Sequence, residues 1–276
     1  MPPSSSTAAV RDDQGELTAT AAPAPVAALR APWWKPVWTL ARREMAATFD
    51  SPIAYIAAAV FLVATGLLFF FGLGGSDDFF AGREATVRPL FDFAPWVLAV
   101  ILPAVTMRLI SEEKKSGTLE LLVTLPVTDL QIVLGKLLGA VGFLSVALAL
   151  TLVFPLLVLS VGSPDIGAIV GGYIGLLLIG TTFLSLGVMT STWTHNQIIA
   201  FILGLLLCVF FWTATDALVK VAFDQPPAAL QLLNFQMQFA DFAKGVVDIR
   251  NVLYFVSVTA VAVVASTYSL QSRHWK

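Results

Sequence analysis

Residues 111–128 read SEEKKSGTLELLVTLPVT: four consecutive charges, a glycine, a short leucine run and a proline, set between two long apolar stretches. Charge is scarce elsewhere. Of 276 residues, 57% are hydrophobic and 12% charged, and the mean hydropathy is +0.83. A soluble domain carries about 25% charged residues, so this composition belongs in a bilayer. The charged insert then reads as a connector between two membrane-spanning helices.

A spanning helix takes about 20 mostly apolar residues, because every backbone N–H and C=O must be paired inside the segment. Working outward from the insert, six stretches qualify: about 52–71, 93–110, 137–161, 166–190, 197–219 and 251–270. Pro95 and Pro103 predict a kink in the second, and Pro155 lies near the far end of the third. An even count places both termini on one side. Of the 16 Lys and Arg residues, Arg11, Arg30, Lys35, Arg42, Arg43, Arg108, Lys114, Lys115, Lys136, Arg273 and Lys276 share that side. Only Arg83, Arg88, Lys220, Lys244 and Arg250 fall opposite. The bias predicts cytoplasmic N- and C-termini in a multi-pass protein of the inner (cell) membrane. A net charge of −2 argues against a nucleic-acid partner.

Residues 1–32 are rich in Ala, Pro, Ser and Thr and lack the apolar core of a signal peptide. They read as a disordered cytoplasmic tail, leaving 33–276 as a transmembrane domain. The segment WWKPVWTLARREMAATFDSP, with Trp38, Arg42, Arg43 and Glu44, suits a helix lying along the inner membrane surface. In QLLNFQMQFADFAKGVV (231–247), Leu232, Phe235, Phe239, Phe242 and Val246 recur at helical spacing. That run reads as an amphipathic outer helix about 26 Å long at most, serving either as packing or as a gate over an exit path. Gly135, Gly139 and Gly142, and again Gly171, Gly175 and Gly180, have spacings that let helices approach closely.

Several chemistries have no visible machinery. No G-x-x-x-x-G-K-[ST] motif is present, so nucleotide phosphates have no P-loop here and any ATP must be handled by another chain. The middles of the six stretches lack Asp, Glu, Lys, Arg and His, the groups ion-coupled carriers place at mid-membrane. His195 and His274 stand apart without a metal-ligand cluster, and the lone Cys208 lies in an apolar run as a small core residue.

In the insert, Ser116 or Thr118 can cap a short helix carrying Leu119, Leu121, Leu122 and Val123, and Pro126 stops it. Thr128 with Asp129 then caps the third span. A solvated connector needs none of those leucines; they suit a groove on another protein. The stretch RLISEEKKSGTLELLVTLPVTDLQIVLGKLLGA (108–140) strongly resembles the cytoplasmic loop of type-2 ABC transporter permeases. The ending FADFAKGVVDIRNVLYFVSVTAVAVVASTYSLQSRHWK (239–276) is similar to the gliding-motility (GldF-like) and copper-processing (NosY-like) branch.

The resemblance runs from about Trp33 to the C-terminus. It implies an all-α integral membrane fold of six transmembrane helices, an N-terminal interfacial connecting helix, a cytoplasmic coupling helix, and amphipathic outer helices between the fifth and sixth spans. Glu112, Glu113, Gly117, Thr118, Leu119, Glu120 and Pro126 map onto the coupling motif that enters a cleft of the ATPase subunit; Lys114 and Leu122 complete the candidate contact. Trp38, Arg42, Arg43 and Glu44 fall in the connecting helix, and Phe235, Phe239 and Phe242 in the outer gate helix. The implied partners are P-loop ABC ATPase subunits, a second permease copy or a similar permease, an outer-side accessory protein, and the bilayer. ATP and Mg would sit on the ATPase, with no cofactor in this chain. The implied function is that of an exporter permease, a transport subunit and not an enzyme. The alternative is a mechanical transmitter that passes ATP-driven motion to an outer-side protein without moving a solute.

Overall fold

The computed structural model describes residues 32–72, 86–117, 127–214 and 234–272. Residues 1–35 form one unit, of which the last four are described, and residues 36–276 form another. Every regular element among the described residues is a helix. Helix α1 (Trp34–Asp50) is separated from α2 (Pro52–Phe71) by Ser51. The Ser51 hydroxyl accepts from the Ile53 N–H at 3.4 Å, and Pro52 opens α2 where no donor is required. Next come α3 (Arg88–Thr106), α4 (Arg108–Ser116), α5 (Asp129–Thr151), α6 (Val153–Val161), α7 (Ile166–Trp193) and α8 (Gln197–Val209). A π-helical turn, Phe210–Ala214, continues α8, and α9 (Phe235–Ala243) and α10 (Ile249–Gln271) complete the described elements.

Helices α3–α4 and α5–α6 run on as single apolar segments of 29 and 33 residues. Together with α2, α7 and α10 they make 5 segments long and apolar enough to cross a bilayer. The expected stretch 197–219 is described as far as Ala214, and its remainder lies outside the described residues.

The helix starts follow local chemistry. Thr128 and Gln131 form a reciprocal capping box, the Thr128 hydroxyl accepting from the Gln131 N–H at 3.3 Å and Gln131 Oε1 from the Thr128 N–H at 2.9 Å. Asp165, Asn196, Asn234 and Asp248 cap α7, α8, α9 and α10 through side-chain oxygens. Breaks have equally local causes. Pro155 has no N–H to offer the Thr151 carbonyl, so the ladder is interrupted at Leu152. The Thr151 hydroxyl donates to the Leu148 carbonyl at 2.7 Å and lies 3.1 Å from the Tyr173 hydroxyl. In the second segment Pro95 and Pro103 lie inside α3, and the interruption falls beyond both, at Met107.

Helix α7 is the central post. It packs on α3, α5, α8, α9 and α10 and is the most enclosed of the long segments, whereas α2 turns Ile53, Tyr55, Ile56, Val63 and Leu67 outward. Glycine permits the tightest of these contacts: a Cβ on Gly187 would lie 2.0 Å from Thr106 Oγ1 of α3, and one on Gly180 2.6 Å from Leu144 of α5.

Candidate coupling site

Helices α1, α4 and α5 meet at the charged end of the molecule. Gly135, Gly139 and Gly142 form the seat of α1 on α5, for Cβ atoms there would come within 2.7 Å of Leu40, 2.6 Å of Glu44 and 2.5 Å of Met45. The close approach read from these glycines is therefore real, and its beneficiary is α1.

Beside that seat Lys136 enters the protein, with 2% of its side chain exposed. Its ammonium lies 3.0 Å from Glu44 Oε1 of α1 and 2.7 Å from Glu113 Oε1 of α4. The carboxylates keep 14% and 19% exposure. One dry cation thus ties three helices that are far apart in sequence. A buried ion pair tolerates little loss, because removing one partner strands the other in low dielectric.

The opposite flank of α4 is held by α7. Ser191 Oγ accepts from the backbone N–H of Ile110 at 3.2 Å and of Ser111 at 3.0 Å, and donates to the Met107 carbonyl at 2.9 Å. This hydroxyl stands in the i→i−4 ladder and accounts for the break at Met107. The Ser111 hydroxyl also donates to the Met107 carbonyl. Lys114 is buried, its ammonium donating to the Thr192 carbonyl, which also accepts from Ser269 of α10 at 3.3 Å. Gly117, at φ +72°, ends α4 in the left-handed conformation that glycine adopts without a Cβ penalty.

Of the predicted coupling residues, Glu112 is exposed, Glu113 and Lys114 face inward as anchors, and Gly117 terminates the stem. Thr118, Leu119, Glu120, Leu122 and Pro126 lie outside the described residues. The short helix for which Ser116 is one capping option lies outside the described residues. Ser116 itself is the last residue of α4, and its hydroxyl turns back to the Glu112 carbonyl at 2.9 Å. On α1, Trp38, Arg42 and Arg43 are exposed and Glu44 is clamped.

At the other end of α7, Phe235, Phe239 and Phe242 are buried as their spacing predicts. Phe235 stacks on Phe211 with ring centroids 5.2 Å apart, Phe239 meets Trp212 edge-on at 5.9 Å, and Phe242 packs on Phe255 at 6.3 Å. Gly171 and Gly175 make room for α9, where Cβ atoms would lie 2.8 Å and 2.7 Å from Phe242. Asn251 Nδ2 donates to the Gln238 carbonyl at 3.1 Å and to Asp241 Oδ2 at 3.0 Å, fixing α9 to α10. The described helix covers 9 residues, and the part of the expected run before Asn234 lies outside the described residues. Gly245, at φ +82°, follows it, so Val246 falls beyond the helix and is exposed, contrary to its place in the expected stripe.

Residues 76–240 match the family described as ABC-2 family transporter protein. The chain belongs to the ABC-2 transporter family. This ABC-2 chain is also similar to the probable ABC transporter permease protein NosY of Pseudomonas aeruginosa, at 30% identity over 166 residues. That similarity covers 56% of this chain and 59% of the relative's length. The matched family region begins before α3 and ends within α9, so it contains the α4 stem, the α5 seat and the whole of α7. The Lys136 clamp itself escapes a reading of hydropathy, which starts the third span at Leu137 and leaves Lys136 as a flanking charge. The Thr128 cap carried the missing signal: counted from it, Lys136 is two turns inside a helix.

Proposed function

We propose that this chain is the transmembrane subunit through which ATP hydrolysis on a separate P-loop ATPase drives export of a substrate across the inner membrane. In this reading six helices span the bilayer, both termini are cytoplasmic, and the subunit works beside a second copy or a similar permease. The observation that carries it is the buried Lys136 clamp, which grips α4 at Glu113, one turn before Gly117. A mobile connector would move independently of the bundle. An α4 stem pinned to α1, α5 and α7 instead delivers displacement of residues 118–126 to the spans, as a coupling element must. Family membership supports the same assignment. The test is to replace Leu119 and Leu122 with Asp: the chain should still insert but lose its co-purifying ATPase. Undiminished ATPase recovery would remove the coupling role.

Transmission to an outer-side protein is the second reading. A pocket of about 320 Å³ at the aromatic end favours it, since its lining of Arg88, Asp92, Asp165 and Lys244 offers both signs of charge to a docking loop.

A further inference from the structure

A groove of about 270 Å³ lies at the charged end, lined by Arg43, Glu44, Ala47, Thr48 and Ser51 of the α1–α2 junction and by Arg108, Leu109, Glu112, Glu113 and Lys136. Its charges are unevenly used. Glu44 and Glu113 are engaged with Lys136, while no described carboxylate forms an ion pair with Arg43 or Arg108. Arg108 Nη2 donates to the neutral Ser51 hydroxyl at 3.1 Å, which aims the guanidinium without discharging it. Two guanidinium groups from different helices therefore face one small space, the arrangement that suits a phosphate through fork-shaped donation.

The surroundings say which phosphate. Immediately after Ser51, α2 begins its outward apolar face with Ile53, Tyr55 and Ile56, 46%, 62% and 61% exposed. A headgroup held in the groove can lay its acyl chains along that face. The volume is below the ~300–1,000 Å³ of typical small-molecule pockets and matches a headgroup better than a whole amphiphile. Glu112, exposed on the rim, supplies a carboxylate for an ammonium. We propose that this groove binds the phosphodiester of a phospholipid in the leaflet meeting this end of the bundle, with phosphatidylethanolamine as the best-fitting headgroup: phosphate on Arg43 and Arg108, ammonium on Glu112. Such a lipid would wedge α1 against α2 beside the clamp, making the junction sensitive to membrane composition.

The test uses the full chain purified in mild detergent with whatever partner it retains. Native mass spectrometry counts bound phospholipid, and thermal unfolding is followed with added phosphatidylethanolamine, phosphatidylglycerol, or soluble glycerophosphoethanolamine. The wild type should retain one phospholipid that R43Q/R108Q loses, and both lipids should raise its Tm, phosphatidylethanolamine more. E112Q should abolish that difference between the two lipids, and R250Q, at the other end of the molecule, should leave the count unchanged. Because Arg108 also holds Ser51, R43Q alone, at an exposed position, serves as the variant whose folding is not in question; it should at least halve lipid occupancy. Equal retention by R43Q and wild type, or stabilisation by the soluble headgroup equal to that by the lipid, overturns the proposal. Lipid counting is independent of ATPase recovery, so the coupling role and the lipid site can fail separately.

Discussion

Lys136→Met offers the sharpest measurement of what holds α4. The substitution keeps the length of the side chain and deletes the ammonium, leaving Glu44 and Glu113 facing each other across the lost cation with 14% and 19% exposure. Removing one partner of a buried pair costs about 3–5 kcal/mol. The residual access of water to the carboxylates places this case toward the lower figure, about 3 kcal/mol. Glu44→Gln should cost less, about 1 kcal/mol, because Lys136 keeps its 2.7 Å contact with Glu113. The triple variant K136M/E44Q/E113Q strands no charge and should recover most of the loss. Thermal inactivation rates at fixed detergent are the appropriate assay, since membrane chains often unfold irreversibly. K136M should inactivate fastest, the triple variant near wild type. Equal rates for K136M and E44Q, or a triple variant no better than K136M, would refute the clamp as an energetic unit.

Ser191→Ala removes an oxygen serving two amides and one carbonyl; a loss of about 1–3 kcal/mol is expected, with faster hydrogen exchange at Ile110 and Ser111 as the local check. Phe239→Ala empties a site where the ring is 3% exposed and should cost about 3–5 kcal/mol; the variant should keep its ATPase yet alter basal ATP turnover, and unchanged turnover would reduce α9 to a cover. On a Cys208→Ser background, an impermeant maleimide applied from outside should label Ser76→Cys and Gln225→Cys but not Ser116→Cys; the reverse pattern would discard the orientation.

Much of the architecture was legible because its causes are local. Apolar length alone gives 52–71 for α2 and nearly the bounds of α7 and α10, and side-chain oxygens at Thr128 and Asp165 mark helix starts without tertiary information. The site was less legible. Lys136 finds its partners 92 and 23 residues away, a pairing no local pattern carries. Ser191 was hidden for another reason: its hydroxyl matters only because α7 brings it against the break in the α3–α4 ladder. The glycines announced close contact but not with whom. Gly245 could have been read as a terminating residue, which would have kept Val246 out of the aromatic stripe.

Helix α7 has a mechanical consequence. Ser191 and Thr192 grip the α4 stem near one end, and Gly171 and Gly175 seat α9 near the other. From Gly171 to Ser191 the helix is unbroken, about 30 Å of stiff rod at ~1.5 Å per residue. The Pro155 and Ser191 interruptions both fall on its neighbours, not on α7 itself. A small axial slide or roll imposed at the charged end would therefore reach the aromatic end with little lost motion, as a pushrod works a valve. Slack belongs to the joints in α3–α4 and α5–α6, and that is where substitutions should uncouple the two ends while leaving each intact.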